Sequence, residues 1–189
     1  MHIGLLCAMP EEIGSTIENL QNPSETNWGD LKIISGEWHE FGVHAPSVYI
    51  SAAWSGWGKV SAARAATRLL GTSFRGRDID LLLFTGVAGA ANPGLKQWDI
   101  VLPTELVQYD MDARPLFQKY VIPALNKRRI VSIDKWVEWA TSALQESISK
   151  NLVDHFGRVE TGLIATGDRF IAEKSLLEDL SRELPGLSA

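Results

Sequence analysis

Ala8-Met9-Pro10-Glu11-Glu12 directly follows the apolar run Ile3-Gly4-Leu5-Leu6-Cys7, so two carboxylates stand where a first strand gives way to a helix. The carboxyl ends of strands are where open α/β sheets gather ligands and reacting groups. A carboxylate there can act as a general base or stabilise a cation that develops as a bond breaks. The same residues also make a sound helix start, because proline fits the first turn and acidic side chains suit the positive end of the helix dipole.

Three later turns have chemistry within reach. Gly56-Trp57-Gly58-Lys59 is not a Walker loop, since Ala53 stands in place of its first glycine and Val60 in place of its Ser or Thr. Nor is it a dinucleotide fingerprint, because Ser61 replaces the third glycine. It remains a glycine-flanked turn that a ligand can approach, with Trp57 lining that ligand or packing in the core. The small residues of the loop from Gly86 to Gly94 suit close backbone approach to a ligand, and equally suit tight packing. Thr166-Gly167-Asp168-Arg169-Phe170-Ile171 offers an aromatic face beside backbone groups, a setting for a flat heterocycle or for a core phenylalanine. His2, His39, His44 and His155 lack ligand spacing, so no metal site is expected, and no nucleophile elbow is present. Cys7, alone in an apolar strand, reads as a buried, inert thiol in a reducing cytoplasm.

Alternating strand and helix patterns must position these turns. Residues 2–8 read as a strand and 10–20 as a helix with Ile13, Ile17 and Leu20 on one face. Stretches from Leu31 to Trp38 and Val43 to Ala53, with turn residues including Gly42 between them, read as a meander. Lys59 to Leu70 reads as a helix, with Val60, Ala63, Ala66 or Thr67, and Leu70 at helical spacing, and Leu81 to Thr85 as the most clearly buried strand. Asp99 to Tyr109 is the next strand, and residues 110–132 look irregular. Asp134 caps a helix to Lys150, with Trp136, Ala140, Leu144 and Ile148 facing inward. Val159 to Thr166 closes as a strand and Glu173 to Leu184 as a helix, after which Leu187-Ser188-Ala189 resembles the opening of another strand. The expectation is a single α/β domain over residues 1–189, three-layer α/β/α around a central mixed sheet.

Composition narrows the function classes. At 189 residues, with 45% apolar and 22% charged content, the chain can bury a substantial core. A net charge of −5 and no basic stripe argue against nucleic-acid or anionic-membrane partners, and no apolar run is long enough to span a bilayer. Neither export nor membrane insertion is expected.

Ile3 to Glu12, Ser55-Gly56-Trp57-Gly58-Lys59-Val60, Thr85-Gly86-Val87-Ala88-Gly89, Asp99-Ile100-Val101, Tyr109-Asp110-Met111-Asp112 and Thr166 to Ile171 together resemble the nucleoside phosphorylase family. Within it they look most like the 5'-methylthioadenosine/S-adenosylhomocysteine nucleosidases. The resemblance implies that Glu12 activates the water attacking the anomeric carbon and that Met9 lies against the ribose and its alkylthio group. It implies Phe170 stacked on the purine, the Ile171 backbone reading its edge, and Val87, Ala88 and Gly89 flooring the ribose and base. Trp57 would line the 5' side, and a homodimer partner would close that pocket with Ala113, Arg114 and Leu116. No cofactor is implied, only a small-molecule nucleoside. Phe84 and Val87 replace the arginine and serine of the related bacterial phosphorylases, which points to water as nucleophile. A phosphorolytic or futalosine-type relative is the second enzyme reading. The family's ribose-binding Val-Glu-Met-Glu-type segment and acid-bearing Ser-Asp-type segment would begin after Ala189, so the domain reads as truncated at its C-terminus, without its last strand and helices. On that expectation catalysis is feeble, and a catalytically inactive binding or storage homologue is the third reading.

Overall fold

The computed structural model describes residues 1–39, 48–153 and 155–189. Two compact units divide the chain, Met1–Val87 and Ala88–Ala189.

In the first unit β1 (His2–Cys7) lies between β4 (Val48–Trp54) and β7 (Leu81–Phe84), parallel to both. β3 (Leu31–Trp38) runs antiparallel to β4 and to β2 (Gln21–Trp28), giving a mixed sheet of order β2-β3-β4-β1-β7. Period-two alternation sorts its side chains. Leu6, Leu31, Ile33 and Ala53 meet Ala65 and Leu69 of α1 (Lys59–Leu70) on one face. Cys7 and Ala52 meet Ile13 on the other. The expected meander is present as β3 and β4; Gly42, His44 and the start of the second stretch at Val43 lie outside the described residues.

Two expectations change here, and one strand is added. The segment after β1 is a 3-10 helix, Pro10–Thr16, rather than an α-helix to residue 20. Gly14, at φ 58 and ψ −142, breaks the helical path, although Ile13 and Leu20 are buried as their spacing required. β2 occupies a stretch to which the sequence reading assigns no element; as an edge strand exposed at every position it carries no apolar alternation to read. β7 is also at the sheet edge instead of being its most buried strand, and Phe84 is 65% exposed. The short strands β5 (Ser73–Phe74) and β6 (Arg77–Asp78) form a ribbon before β7.

In the second unit β8 (Ile100–Gln108) pairs in parallel with β10 (Val159–Thr166) and antiparallel with the short β9 (Ile130–Val131). Leu180 and Leu184, from α3 (Lys174–Glu183) and its C-cap, join Val107, Tyr120, Leu163 and Leu187 in one core. Leu187 makes an isolated parallel bridge to Leu163, and the Ala165 N–H donates to the Ala189 carbonyl, though residues 187–189 form no strand. α2 (Asp134–Ser149) begins one residue earlier than a cap at Asp134 requires, with Ile133 as N-cap. Trp136 is exposed rather than inward-facing, while Ala140, Leu144 and Ile148 are half-buried. A spacing of four rotates about 40° per step on a helix of 3.6 residues per turn, which carries Trp136 off the stripe defined by Leu144 and Ile148. Among the described residues no helix is long and apolar enough to cross a membrane.

Candidate active site

β1 delivers Ala8 and Met9 in extended conformation, Met9 at φ −130 and ψ 149, and Pro10 then turns the chain so that Glu12 folds back over them. Glu12 Oε2 accepts the Ala8 N–H at 2.8 Å and the Met9 N–H at 2.9 Å. Its Oε1 accepts the Val87 N–H at 2.9 Å, from just beyond β7. A half-buried carboxylate is thus fixed by three backbone donors across the carboxyl ends of two neighbouring parallel strands. Each carboxylate oxygen has two acceptor positions. Oε2 uses both, whereas Oε1 takes one N–H and has a second acceptor position.

Around this carboxylate the chain is held by main-chain bonds. The Ser55 and Gly56 N–H groups donate to the carbonyls of Cys7 and Ala8 at 2.9 and 3.0 Å, extending the β1–β4 pairing one step beyond the strands. Trp57 then projects outward, 79% exposed, which removes the core-packing reading. Cys7 is buried and its Sγ–H donates to the Met9 carbonyl at 3.0 Å. Burial first, then the nearby Glu12 charge, push its thiol up to about 11, so it stays protonated and inert as expected. His2 belongs to the core: its ring bridges the Arg77 carbonyl and the Ser51 hydroxyl.

The second unit carries its own prepared turn after β10. The Tyr109 hydroxyl donates to the Arg169 carbonyl, and the Asp110 carboxylate accepts the Asp168 N–H at 2.9 Å. Gly167 allows this closure, because a Cβ there would stand 2.5 Å from the Tyr109 ring. The turn so pinned holds Phe170 out at 91% exposure while Ile171 packs against the core. Phe170 is therefore not the core phenylalanine that the sequence left open. Ala88 and Gly89 are exposed, and nothing stands within 4 Å of a Cβ at Gly89.

Ala113, Arg114 and Leu116 lie in the irregular stretch between β8 and β9, with Leu116 85% exposed. The Arg114 guanidinium forks onto Asp112, its Nε donating to both carboxylate oxygens at 2.9 and 3.1 Å. Those bonds, with the Arg114 backbone N–H, hold the Asp112 carboxyl down at about 2. Among the described residues no group of three or more His, Cys, Asp or Glu side chains could hold a metal ion.

Sequence reasoning names Glu12, Met9, Trp57 and Val87, which the first unit contains, and Phe170 and Ile171 on one turn of the second. It assigns no part to Gly86, against Glu12, or to Tyr109, Asp110 and Gly167, which shape the Phe170 turn. The signals were present as glycines at the ends of apolar strands and the Tyr109-Asp110 pair ending β8.

The sequence matches the phosphorylase superfamily over residues 2–188. The 5'-methylthioadenosine/S-adenosylhomocysteine nucleosidase of Actinobacillus succinogenes is 32% identical over 190 residues, covering 100% of this chain and 74% of the relative. The crystal structure of the Neisseria meningitidis nucleosidase of that name, in complex with methylthio-immucillin-A, matches with a TM-score of 0.81 at 26% identity, covering 100% of this chain and 74% of its own. The Colwellia psychrerythraea nucleosidase in complex with adenine matches with a TM-score of 0.80 at 27% identity, covering 100% of this chain and 71% of its own.

Proposed function

The chain belongs to the phosphorylase superfamily, with its mixed sheet and flanking helices, and we propose that it hydrolyses the N-glycosidic bond of 5'-methylthioadenosine and S-adenosylhomocysteine. The observation that carries this reading is the Glu12 carboxylate, fixed by the N–H groups of Ala8, Met9 and Val87 with an acceptor position left on Oε1. Water gives that oxygen its proton and bonds to the anomeric carbon. The bond from that carbon to the purine breaks, adenine leaves with the electron pair and takes a proton from solvent water, and Glu12 returns its proton to solvent, so that one water is consumed. The sugar passes through an oxocarbenium-like state, which a nearby anion stabilises. Positioned general-base help contributes about 10²- to 10⁴-fold.

Water rather than phosphate is supported by the donors around Glu12. The backbone N–H groups of Ala8, Met9 and Val87, which elsewhere could cradle an anion, are already given to the carboxylate. The side chains of Phe84 and Val87 are apolar and exposed, and neither can hold phosphate.

The remaining roles follow the family resemblance. In the first unit Met9 and Trp57 meet the ribose and its 5' substituent, and Val87 floors the ribose. In the second, the resemblance gives Ala88 and Gly89 to the ribose and base, Phe170 to the purine face and the Ile171 backbone to the purine edge. We place the enzyme in the cytoplasm as a homodimer in methionine salvage, with Ala113, Arg114 and Leu116 of the second copy closing the 5' pocket. Glu12→Gln tests the assignment: adenine release falls at least about 10²-fold while binding of a nucleoside analogue, measured by calorimetry, is retained. Unchanged turnover in that variant would refute it.

A further inference from the structure

Resting on the reading of Glu12 as the water-activating base, we propose that Gly86 is its positioning residue. A Cβ at position 86 would stand 2.9 Å from Glu12 Oε1, 3.3 Å from Cδ and 3.5 Å from Oε2, and these three atoms are its nearest neighbours. The Gly86 backbone is not left-handed, so its conformation admits alanine. The obstacle is the tip of a flexible side chain, which can move at little cost to the fold.

The atom that must yield is the one that matters. Ala8 and Met9 hold Oε2, so the carboxylate turns about that oxygen and Oε1 is displaced, losing the Val87 N–H at 2.9 Å. Oε1 also carries the acceptor position assigned to the water proton. Gly86 thus sets the aim of the base without touching a reacting atom, and the missing side chain matters to chemistry more than to stability.

The test uses the full chain, isotopically labelled, as wild type and Gly86→Ala. The amide resonances of Ala8, Met9 and Val87 are compared with and without the neutral replacement Glu12→Gln. With glycine at 86, Glu12→Gln moves all three. With Gly86→Ala, it still moves Ala8 and Met9 but not Val87, the single variant Gly86→Ala stays folded, and its kcat for adenine release falls about 10²-fold with KM unchanged. A Val87 amide that still responds to position 12 in Gly86→Ala, an unchanged kcat, or a Gly86→Ala chain that does not fold overturns the inference. The resonances need no turnover, so failure of the wild type to release adenine would refute the nucleosidase reading and leave the placement of Glu12 to be decided by Val87 alone.

Discussion

A carboxylate that accepts three backbone N–H groups is held without another side chain, so the placement of Glu12 depends on where the main chain runs at residues 8, 9 and 87. This is why Glu12 was legible as a candidate base while its support was not. Backbone donors leave no mark in residue type, and Val87 lies 75 positions away in the chain. Phe170 is the opposite case. Its type announced a stacking surface, yet only the bonds from Tyr109 and Asp110 explain why a phenylalanine stays 91% exposed. Phe170→Ala should leave stability within about 0.5 kcal/mol, as exposed substitutions do. It should weaken adenine binding about fivefold, near 1 kcal/mol of stacking. Unfolding curves and calorimetry check the two halves; unchanged adenine affinity would remove Phe170 from the site.

At the scale of elements, the strongly periodic segments were the readable ones. α1 occupies the bounds read for it, but Val60, Ala63 and Leu70 of the spacing that marked it are exposed, and Ala65 and Leu69, both fully buried, are the residues that face the sheet. Leu69→Ala opens a cavity between α1 and the sheet and should cost about 2–5 kcal/mol in urea unfolding. A loss below about 1 kcal/mol would mean that the helix is not packed as described. The 3-10 helix, β2 and the outward turn of Trp136 escaped because a single glycine, a polar edge and a four-residue spacing each break the link between apolar pattern and burial. The stretch between β8 and β9 has no period, and side-chain pairing orders it instead. Asp112, hydrogen-bonded by Arg114 and held at about 2, contributes stability that is present above the ordinary carboxylate range and lost as pH falls toward 2. Arg114→Ala removes the guanidinium but keeps the backbone N–H, and should raise Asp112 toward the usual value, read by carboxyl NMR titration. An Asp112 that stays low in that variant would assign the effect to another donor.

For the whole molecule, fold and family agree across nearly the entire chain, residues 2–188, and the chain spans 74% of the length of its Actinobacillus succinogenes relative. Its net charge of −5 fits a small neutral or zwitterionic nucleoside better than a polyanion. The mixed sheet was legible because β1 is a continuous apolar run and β3–β4 a meander, the marks of a parallel centre with an antiparallel side. The division into two compact units was not, because no linker composition marks the chain near Val87. Water as the nucleophile is the claim on which the rest turns, and adenine release from 5'-methylthioadenosine by the purified chain, without phosphate and with it, tests it most directly. Release in phosphate-free buffer that phosphate does not accelerate is the predicted result; release only when phosphate is present, or none in either buffer, would contradict it.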